Sequence, residues 1–250
     1  MRPIAIMAAM QEEMVGLTSV LIDAHTIKIG SRQFTTGTLH GQSVVLVLSR
    51  IGKVAAATTA TALIERFEVN AIVFTGVAGG LATGVNVGDM VVASDFIQHD
   101  MDASPLFAPL EVPLYGRTIF PTDTDLTQSL RAAAQGILRN LSQWIDRDTL
   151  HALHVQSPKV HTGLVLSGDR FVSTSSESQA LQKRLPLALA VEMEGAAVAQ
   201  VCHDYDVPFA AVRTISDRAD DAATTDFSRF IEEVASRYTF ALISTWIAKR

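Results

Sequence analysis

Short and long apolar segments alternate along this chain. Short apolar runs, which are typical of buried strands, lie at 4–9, 71–75, 90–94, 164–167, 188–191 and 209–212. Longer segments with helical spacing start at Lys53, cover 126–141 and 195–205, and begin again near Phe227. Two further runs, 33–38 and 43–49, flank a turn and predict a hairpin. The alternation predicts a three-layer α/β fold in which helices flank a central mixed, largely parallel sheet.

Length and composition favour a single domain spanning residues 1–250. Hydrophobic residues make up 48% of the chain and charged residues 18%, so a large core can be buried. Neither an internal repeat nor a linker interrupts the pattern, and the most irregular stretch is 98–125, a predicted surface loop. The low charged fraction also suggests that some apolar surface is covered in an oligomer.

Charge and cysteine content exclude several classes of function. The net charge is −6 and there is no basic run, so we expect neither a nucleic-acid nor an anionic-membrane partner. No apolar stretch reaches the roughly 20 residues that a bilayer span requires, and the lone Cys202 fits a reducing compartment. We therefore expect a soluble, cytoplasmic protein with a buried, inert thiol.

Polar clusters follow four of the predicted strands. They are Gln11-Glu12-Glu13, Ser167-Gly168-Asp169 with Phe171 and Val172, Glu192-Met193-Glu194, and Arg213 with Ser216 and Asp217. In open α/β sheets the ligand crevice lies beyond the carboxyl ends of the strands. Burying carboxylates and an arginine there is costly unless binding or catalysis requires them. The four clusters together predict one ligand site.

Taken singly, these features also have simpler interpretations. Glu12 and Glu13 fit the first turn of a helix, where acids are stabilised by the helix dipole. Asp217 fits a cap of the next segment, and Phe171 fits the core. The sequence GVAGGL, beginning at Gly76, lacks the Lys-Ser/Thr of a phosphate-binding loop. Histidines occur without ligand spacing, so no metal is expected.

Seven motifs resemble those of one enzyme family. They are AIMAAMQEEM, SRIGKVAAA, TGVAGGL, VGD, SGDRFV, VEMEGAAVAQVCHDYDVPF and VRTISDRAD. Their order and spacing resemble the 5′-methylthioadenosine/S-adenosylhomocysteine nucleosidases, a branch of the purine nucleoside phosphorylase-like superfamily. The resemblance covers nearly the whole chain except about 98–160. It implies hydrolysis of the N-glycosidic bond of a 5′-thio-adenosine, with no cofactor.

The resemblance also implies a role for individual residues. Glu13 corresponds to the acid that activates water, and Asp217 to the acid that protonates N7 of the leaving purine. The remaining positions correspond to substrate contacts: Glu194 and Met193 on the ribose, Phe171 and the Val172 backbone on adenine, Arg213 and Gly79 near the sugar and water, and Met10, Ile51 and Phe227 around the 5′ substituent.

This assignment agrees with the chemistry of the bond. A purine leaves readily when N7 is protonated, and desolvation is expected to raise the pKa of Asp217 enough to hold that proton. Nearby carboxylates stabilise the positive charge that develops on the sugar as the bond breaks. Two acids on opposite sides of the bond, with room for water, follow the logic of an inverting glycosidase.

Two departures from the family pattern affect the prediction. Val77 stands where most bacterial members have serine, so placement of the water falls to Glu13, Arg213 or backbone groups. The segment that begins at His99 is longer than in the common form. In the family this region contributes to a homodimer contact and to the mouth of the 5′ pocket.

Three other functions remain open at this stage. A phosphorylase of the same superfamily requires arginines for phosphate, whereas the first strand here leads into Glu12 and Glu13. A hydrolase of 6-amino-6-deoxyfutalosine uses the same adenine and ribose contacts. A non-catalytic nucleoside-binding domain predicts loss of Glu13 or Asp217, but both are present.

Overall fold

The computed structural model describes residues 2–153, 155 and 157–250. Its strands are β1 (Ile4–Ala8), β2 (Ile22–Ile29), β3 (Arg32–Leu39), β4 (Gln42–Leu48), β5 (Ala71–Gly80), β6 (Met90–Gln98), β7 (Phe120–Pro121), β8 (Val160–Ser167), β9 (Ala188–Glu192) and β10 (Phe209–Asp217). The α-helices are α1 (Lys53–Phe67), α2 (Thr124–Arg139), α3 (Arg147–Ala152), α4 (Ser175–Arg184), α5 (Gly195–Asp204), α6 (Ala223–Phe230) and α7 (Ser236–Ile247). A π-helical turn, Ile231–Ala235, joins α6 to α7.

All of these strands belong to one mixed sheet. Its order is β10-β6-β8-β9-β5-β1-β4-β3-β2, with β7 on β6, and β10 returns to pair with β5. The strands β5, β10, β6, β8 and β9 therefore close into a ring, from which β1, β4, β3 and β2 extend. The predicted α/β fold with a mixed sheet and flanking helices is confirmed, whereas the ring closure was not predicted from the sequence.

The core lies on both faces of the sheet. In β1 the side chains of Ile4, Ile6 and Ala8 join the apolar cluster formed with α2 and α7. Ala5 and Met7 face the opposite cluster, which contains α1 and α5. Successive strand residues point to opposite faces, so a strand covered by helices on both sides is apolar throughout. This packing fixes the strand ends from which the polar clusters emerge.

Several elements differ from the sequence-based expectation. The predicted strand 71–75 continues to Gly80, because Gly79 and Gly80 pair with Val191 and Ala190 of β9. The sequence pattern also missed β2 and α4, since β2 is mostly exposed and α4 buries no residue. The hairpin, formed by β3 and β4, is confirmed, and so is the buried free thiol of Cys202. None of the helices in the described ranges combines the length and apolarity needed to cross a membrane.

Candidate active site

A cavity of about 480 Å³ opens where β1, β5, β8, β9 and β10 end. Its volume falls within the range of about 300–1,000 Å³ that is usual for small-molecule sites. Ten of the eleven predicted site residues line it: Met10, Glu13, Ile51, Gly79, Phe171, Val172, Met193, Glu194, Asp217 and Phe227. The structure thus brings residues from seven separate segments of the chain to one cavity.

Glu13 is buried at the end of the short helical turn Gln11–Glu13 that follows β1. Its Oε2 accepts hydrogen bonds from the backbone N–H groups of Ala9, at 2.8 Å, and Met10, at 2.9 Å. Its Oε1 accepts one from the N–H of Val77, at 3.0 Å. Burial raises the pKa of Glu13 above its usual value of 4.5, although these three bonds and the charge of Arg213 oppose the rise.

Two features of β5 shape the surroundings of the Glu13 carboxylate. A Cβ at Gly76 would lie 2.7 Å from Glu13 Oε1, so the strand approaches the carboxylate more closely than a side chain permits. Val77 lines the cavity without a hydroxyl group, yet its backbone N–H still holds Glu13. A carboxylate fixed on both oxygens has a defined orientation, which a general base requires.

Asp217 ends β10 and is almost completely buried. Its Oδ2 accepts a hydrogen bond from the Ser216 hydroxyl at 2.8 Å, and its Oδ1 accepts one from the Ala219 N–H at 2.8 Å. A Cβ at Gly79 would lie 2.9 Å from Asp217 Oδ1. The absence of a side chain at Gly79 therefore lets β5 pass directly against the carboxyl group.

Glu194 stands at the start of α5, with one carboxylate oxygen tied to a distant segment. Its Oε1 accepts a hydrogen bond from the N–H of Gly52 at 2.8 Å. Burial raises the pKa of Glu194 to about 8, and the nearby charge of Glu192 adds to the rise. The hydrogen bond from Gly52 and the charge of Arg213 oppose this rise.

Arg213 is the predicted site residue that does not line the cavity. It is 1% exposed and lies behind the wall, where its Nη2 donates to Glu192 Oε2 at 2.7 Å. Its guanidinium carbon also lies 4.2 Å from the centre of the Phe74 ring. The resemblance places Arg213 near the sugar and water, but here it neutralises Glu192, which does line the cavity. Its direct contact is therefore with a wall residue.

Glu192 belongs to a predicted cluster but had no assigned role. It accepts hydrogen bonds from the Ser167 hydroxyl and from the N–H of Gly195, the latter at 2.9 Å. It therefore anchors the turn between β9 and α5, on which Met193 and Glu194 lie. Glu192 and its partner Arg213 lie on β9 and β10, which both pair with β5, and the sequence alone carries no signal for this arrangement.

The remaining walls are largely apolar. Phe171, which is 40% exposed, meets the ring of Phe227 edge-on, with centroids 5.5 Å apart. Arg170 also lines the cavity and pairs with Glu177 in the first turn of α4. Within the described residues there is no group of three or more His, Cys, Asp or Glu side chains suited to hold a metal ion.

Comparison with known proteins agrees with this geometry. Residues 3–248 match the family described as the phosphorylase superfamily. The chain is 34% identical over 233 residues to the 5′-methylthioadenosine/S-adenosylhomocysteine nucleosidase of Anoxybacillus flavithermus, covering 93% of this chain and 92% of the relative.

Two solved structures cover almost the whole chain. The nucleosidase of Neisseria meningitidis in complex with methylthio-immucillin-A has a TM-score of 0.87 and 31% identity, with 100% of both chains covered. A futalosine hydrolase mutant of Helicobacter pylori has a TM-score of 0.81 and 30% identity, with 98% of both chains covered. The chain therefore belongs to the phosphorylase superfamily and, within it, to the family of the 5′-methylthioadenosine/S-adenosylhomocysteine nucleosidases.

Proposed function

We propose that this protein hydrolyses the N-glycosidic bond of 5′-methylthioadenosine, S-adenosylhomocysteine or both, releasing adenine and the 5′-thio-ribose. The observation that carries the proposal is that two buried carboxyl groups, Glu13 and Asp217, line one nucleoside-sized cavity. No cofactor is required, because the reaction needs only a proton donor for the base and an activated water for the sugar.

Asp217 acts as the general acid. Protonation of N7 turns adenine into a good leaving group, and a buried acid near the base can deliver that proton directly. The Ser216 hydroxyl and the Ala219 N–H fix the two oxygens of Asp217, so the carboxyl group is already oriented when the substrate enters. Pre-orientation of this kind lowers the entropic cost of the proton transfer.

Glu13 acts as the general base. Its raised pKa makes it a better proton acceptor than an ordinary glutamate, and it remains ionised at pH values above that pKa. The N–H groups of Ala9, Met10 and Val77 keep it in place. A water activated by Glu13 attacks the sugar carbon from the face opposite to adenine, as in inverting glycosidases.

The other lining residues bind the substrate. Glu194 accepts hydrogen bonds from the ribose hydroxyls, while Met193 and Gly79 lie against the sugar. The Phe171 ring stacks on adenine, and the Val172 backbone pairs with its edge. Met10, Ile51 and Phe227 surround the 5′ thioether. Arg213, near the sugar and water, holds Glu192 in the cavity wall and places a positive charge close to Glu13.

Phe171→Ala is expected to weaken nucleoside binding by about 1–3 kcal/mol, the usual contribution of an aromatic ring stacked on a base. The measurement is calorimetric titration with a non-hydrolysable adenosine analogue. Phe171→Tyr is the matched control and should bind normally, because it keeps the ring. An unchanged affinity of Phe171→Ala would remove this residue from the adenine site.

One assay tests the proposed function. Adenine release is measured from methylthioadenosine, adenosylhomocysteine and adenosine, each with and without phosphate. We expect release from the 5′-thio substrates at the same rate in both conditions. Strict dependence on phosphate would identify a phosphorylase instead. Binding of phosphate would require a cationic side chain in the cavity. Among the described lining residues that side chain is Arg170, and its pairing with Glu177 disfavours phosphate binding.

A second candidate substrate is 6-amino-6-deoxyfutalosine. The similarity to a futalosine hydrolase over nearly the whole chain supports it, and the adenine and ribose contacts would be the same. The two substrates differ at the 5′ side, where Met10, Ile51 and Phe227 form the wall. Including aminodeoxyfutalosine in the same assay separates the candidates by their relative kcat/KM.

We further propose a cytoplasmic homodimer with a role in methionine salvage. Large apolar side chains are exposed on the segment 98–125 and at the start of α1: Leu106 is 84%, Leu114 90% and Val54 78% exposed. Exposed apolar groups of this kind are typical of surfaces covered by a partner. Sedimentation equilibrium should give the mass of two chains, and a monomer at micromolar concentration would contradict the dimer.

A further inference from the structure

Three polar residues beside the cavity form a closed ring of hydrogen bonds. Lys53 Nζ contacts Asp100 Oδ1 at 2.6 Å, and Asp100 Oδ2 accepts from the Asp169 N–H at 2.8 Å. Asp169 Oδ1 in turn accepts from the Lys53 N–H at 2.7 Å. The ring joins the start of α1 to the segments that follow β6 and β8. We call it the Lys53–Asp100–Asp169 clamp.

The clamp lies next to the residue that holds Glu194, the carboxylate assigned to the ribose. Gly52 precedes Lys53, and its N–H donates to Glu194 Oε1 at 2.8 Å. Consecutive N–H groups therefore bind two different carboxylates, Gly52 on Glu194 and Lys53 on Asp169. Gly52 has a φ of +96°, which favours glycine, and a Cβ there would lie 3.1 Å from Asp169 Oδ1. In this conformation the chain presents its two consecutive N–H groups to Glu194 and Asp169.

Ionisation keeps the clamp closed at neutral pH. Burial tends to raise the pKa of Asp100, but the bonds from Lys53 and the Asp169 N–H outweigh it, so this pKa lies below its usual value. The Lys53 ammonium also donates to Gln98 Oε1 at 3.1 Å, and Gln98 is held by Gln200 at 2.7 Å. The side chain of Lys53 is only 15% exposed, so this ion pair is better shielded than an ordinary surface pair.

We propose that Lys53 and Asp100 are positioning residues for ribose recognition: the clamp holds the Gly52 N–H against Glu194 and so orients that carboxylate toward the sugar hydroxyls. The inference rests on the proposed function, in which Glu194 binds the ribose. Lys53 and Asp100 do not belong to the described lining of the cavity. We expect their effect to pass through Gly52 to Glu194, whereas the Phe171 ring on the base side packs against Phe227.

The test is a binding measurement that does not depend on turnover. Lys53→Met and Asp100→Asn are each made in an Asp217→Asn background and titrated with methylthioadenosine and with its 2′,3′-dideoxy analogue. We expect the affinity for methylthioadenosine to fall about tenfold, a coupling common for groups in one hydrogen-bonded network, and that for the dideoxy analogue to change less than about twofold. Lys53→Arg retains the cation and should restore most of the affinity.

Controls separate positioning from general destabilisation. Arg237→Met removes an exposed ion pair with Asp146, at 3.1 Å, on a different part of the surface, and should leave both affinities unchanged. In a Glu194→Ala background, Lys53→Met should cause no further loss. Equal losses of affinity for both nucleosides would overturn the clamp proposal. So would an undiminished loss of affinity for methylthioadenosine when Lys53→Met is made in the Glu194→Ala background. If one clamp variant fails to fold, the other decides.

The outcomes also separate this inference from the proposed function. If the otherwise unsubstituted protein releases no adenine but the clamp variants lose affinity only for the hydroxylated sugar, the proposed function fails and the clamp stands. If adenine is released and both nucleosides lose affinity equally, the clamp fails and the function stands. Absence of nucleoside binding in the Asp217→Asn background would overturn both.

Discussion

Asp217→Asn is expected to lower kcat for adenine release by about 10²–10⁴-fold, the usual contribution of a general acid. The asparagine has nearly the same shape but carries no acidic proton for N7. Since the cavity walls are unchanged, the Kd for methylthioadenosine should remain within about threefold, because only a transition-state interaction is lost. Single-turnover kinetics with the saturated enzyme measure the rate, and calorimetry measures the affinity.

Two further variants make this result specific. Asp146→Asn is the matched control, because Asp146 lies on the surface and bonds to Thr149 and Arg237. It should retain full activity. Gly79→Ala keeps the acid but introduces a methyl group 2.9 Å from Asp217 Oδ1, and should reduce the rate by displacing the carboxyl group. A near-normal rate for Asp217→Asn would show that the proton comes from another group.

Glu13→Gln is expected to lower kcat/KM by about 10²–10⁴-fold, because the amide cannot accept the proton of the attacking water. The amide NH₂ would also face one of the N–H donors that now hold the carboxylate, from Ala9, Met10 or Val77. Glu12→Gln is the matched control at the neighbouring, exposed position and should remain active. Normal activity of Glu13→Gln would refute the assignment of the base.

The pH profile gives an independent readout of Glu13. Because its pKa lies above 4.5, the base becomes protonated and kcat/KM falls at a pH above the value expected for an ordinary glutamate. The same shift acts on stability with a defined sign. The folded pKa exceeds the unfolded one, so the stabilising contribution is present below pH 4.5 and is lost as the pH rises through the folded pKa. Glu13→Gln should therefore unfold with a weaker dependence on pH.

The sequence could predict the candidate site because the ionisable residues of the site interrupt an otherwise apolar pattern. Glu13, Glu194 and Asp217 each follow a run that reads as a buried strand, and the α/β architecture brings such ends together. What the sequence could not supply is the partner of each group. Arg213 was expected near the sugar and water, and its bond to Glu192 Oε2 is a contact that the sequence could not supply.

The undetected elements have a common physical cause. β2 and α4 are mostly exposed, so they lack the apolar periodicity by which buried elements are recognised. The clamp was equally invisible, because Asp169 bonds to Lys53 across 116 positions of the chain. Ring closure likewise requires β5 to pair with both β10 and β9 while it also pairs with β1, and no local pattern encodes three neighbours.

Closure of the ring has a consequence for biosynthesis. β10 pairs with β5, through contacts such as Val212 with Thr75, and so joins segments separated by more than half of the chain. Contacts between residues so far apart in the sequence form slowly during folding, because the entropic cost of closing a long loop precedes the stabilisation that the contacts provide. The nascent chain acquires Asp217, the proposed proton donor, only when β10 has emerged from the ribosome, so we expect no activity before the ring can close.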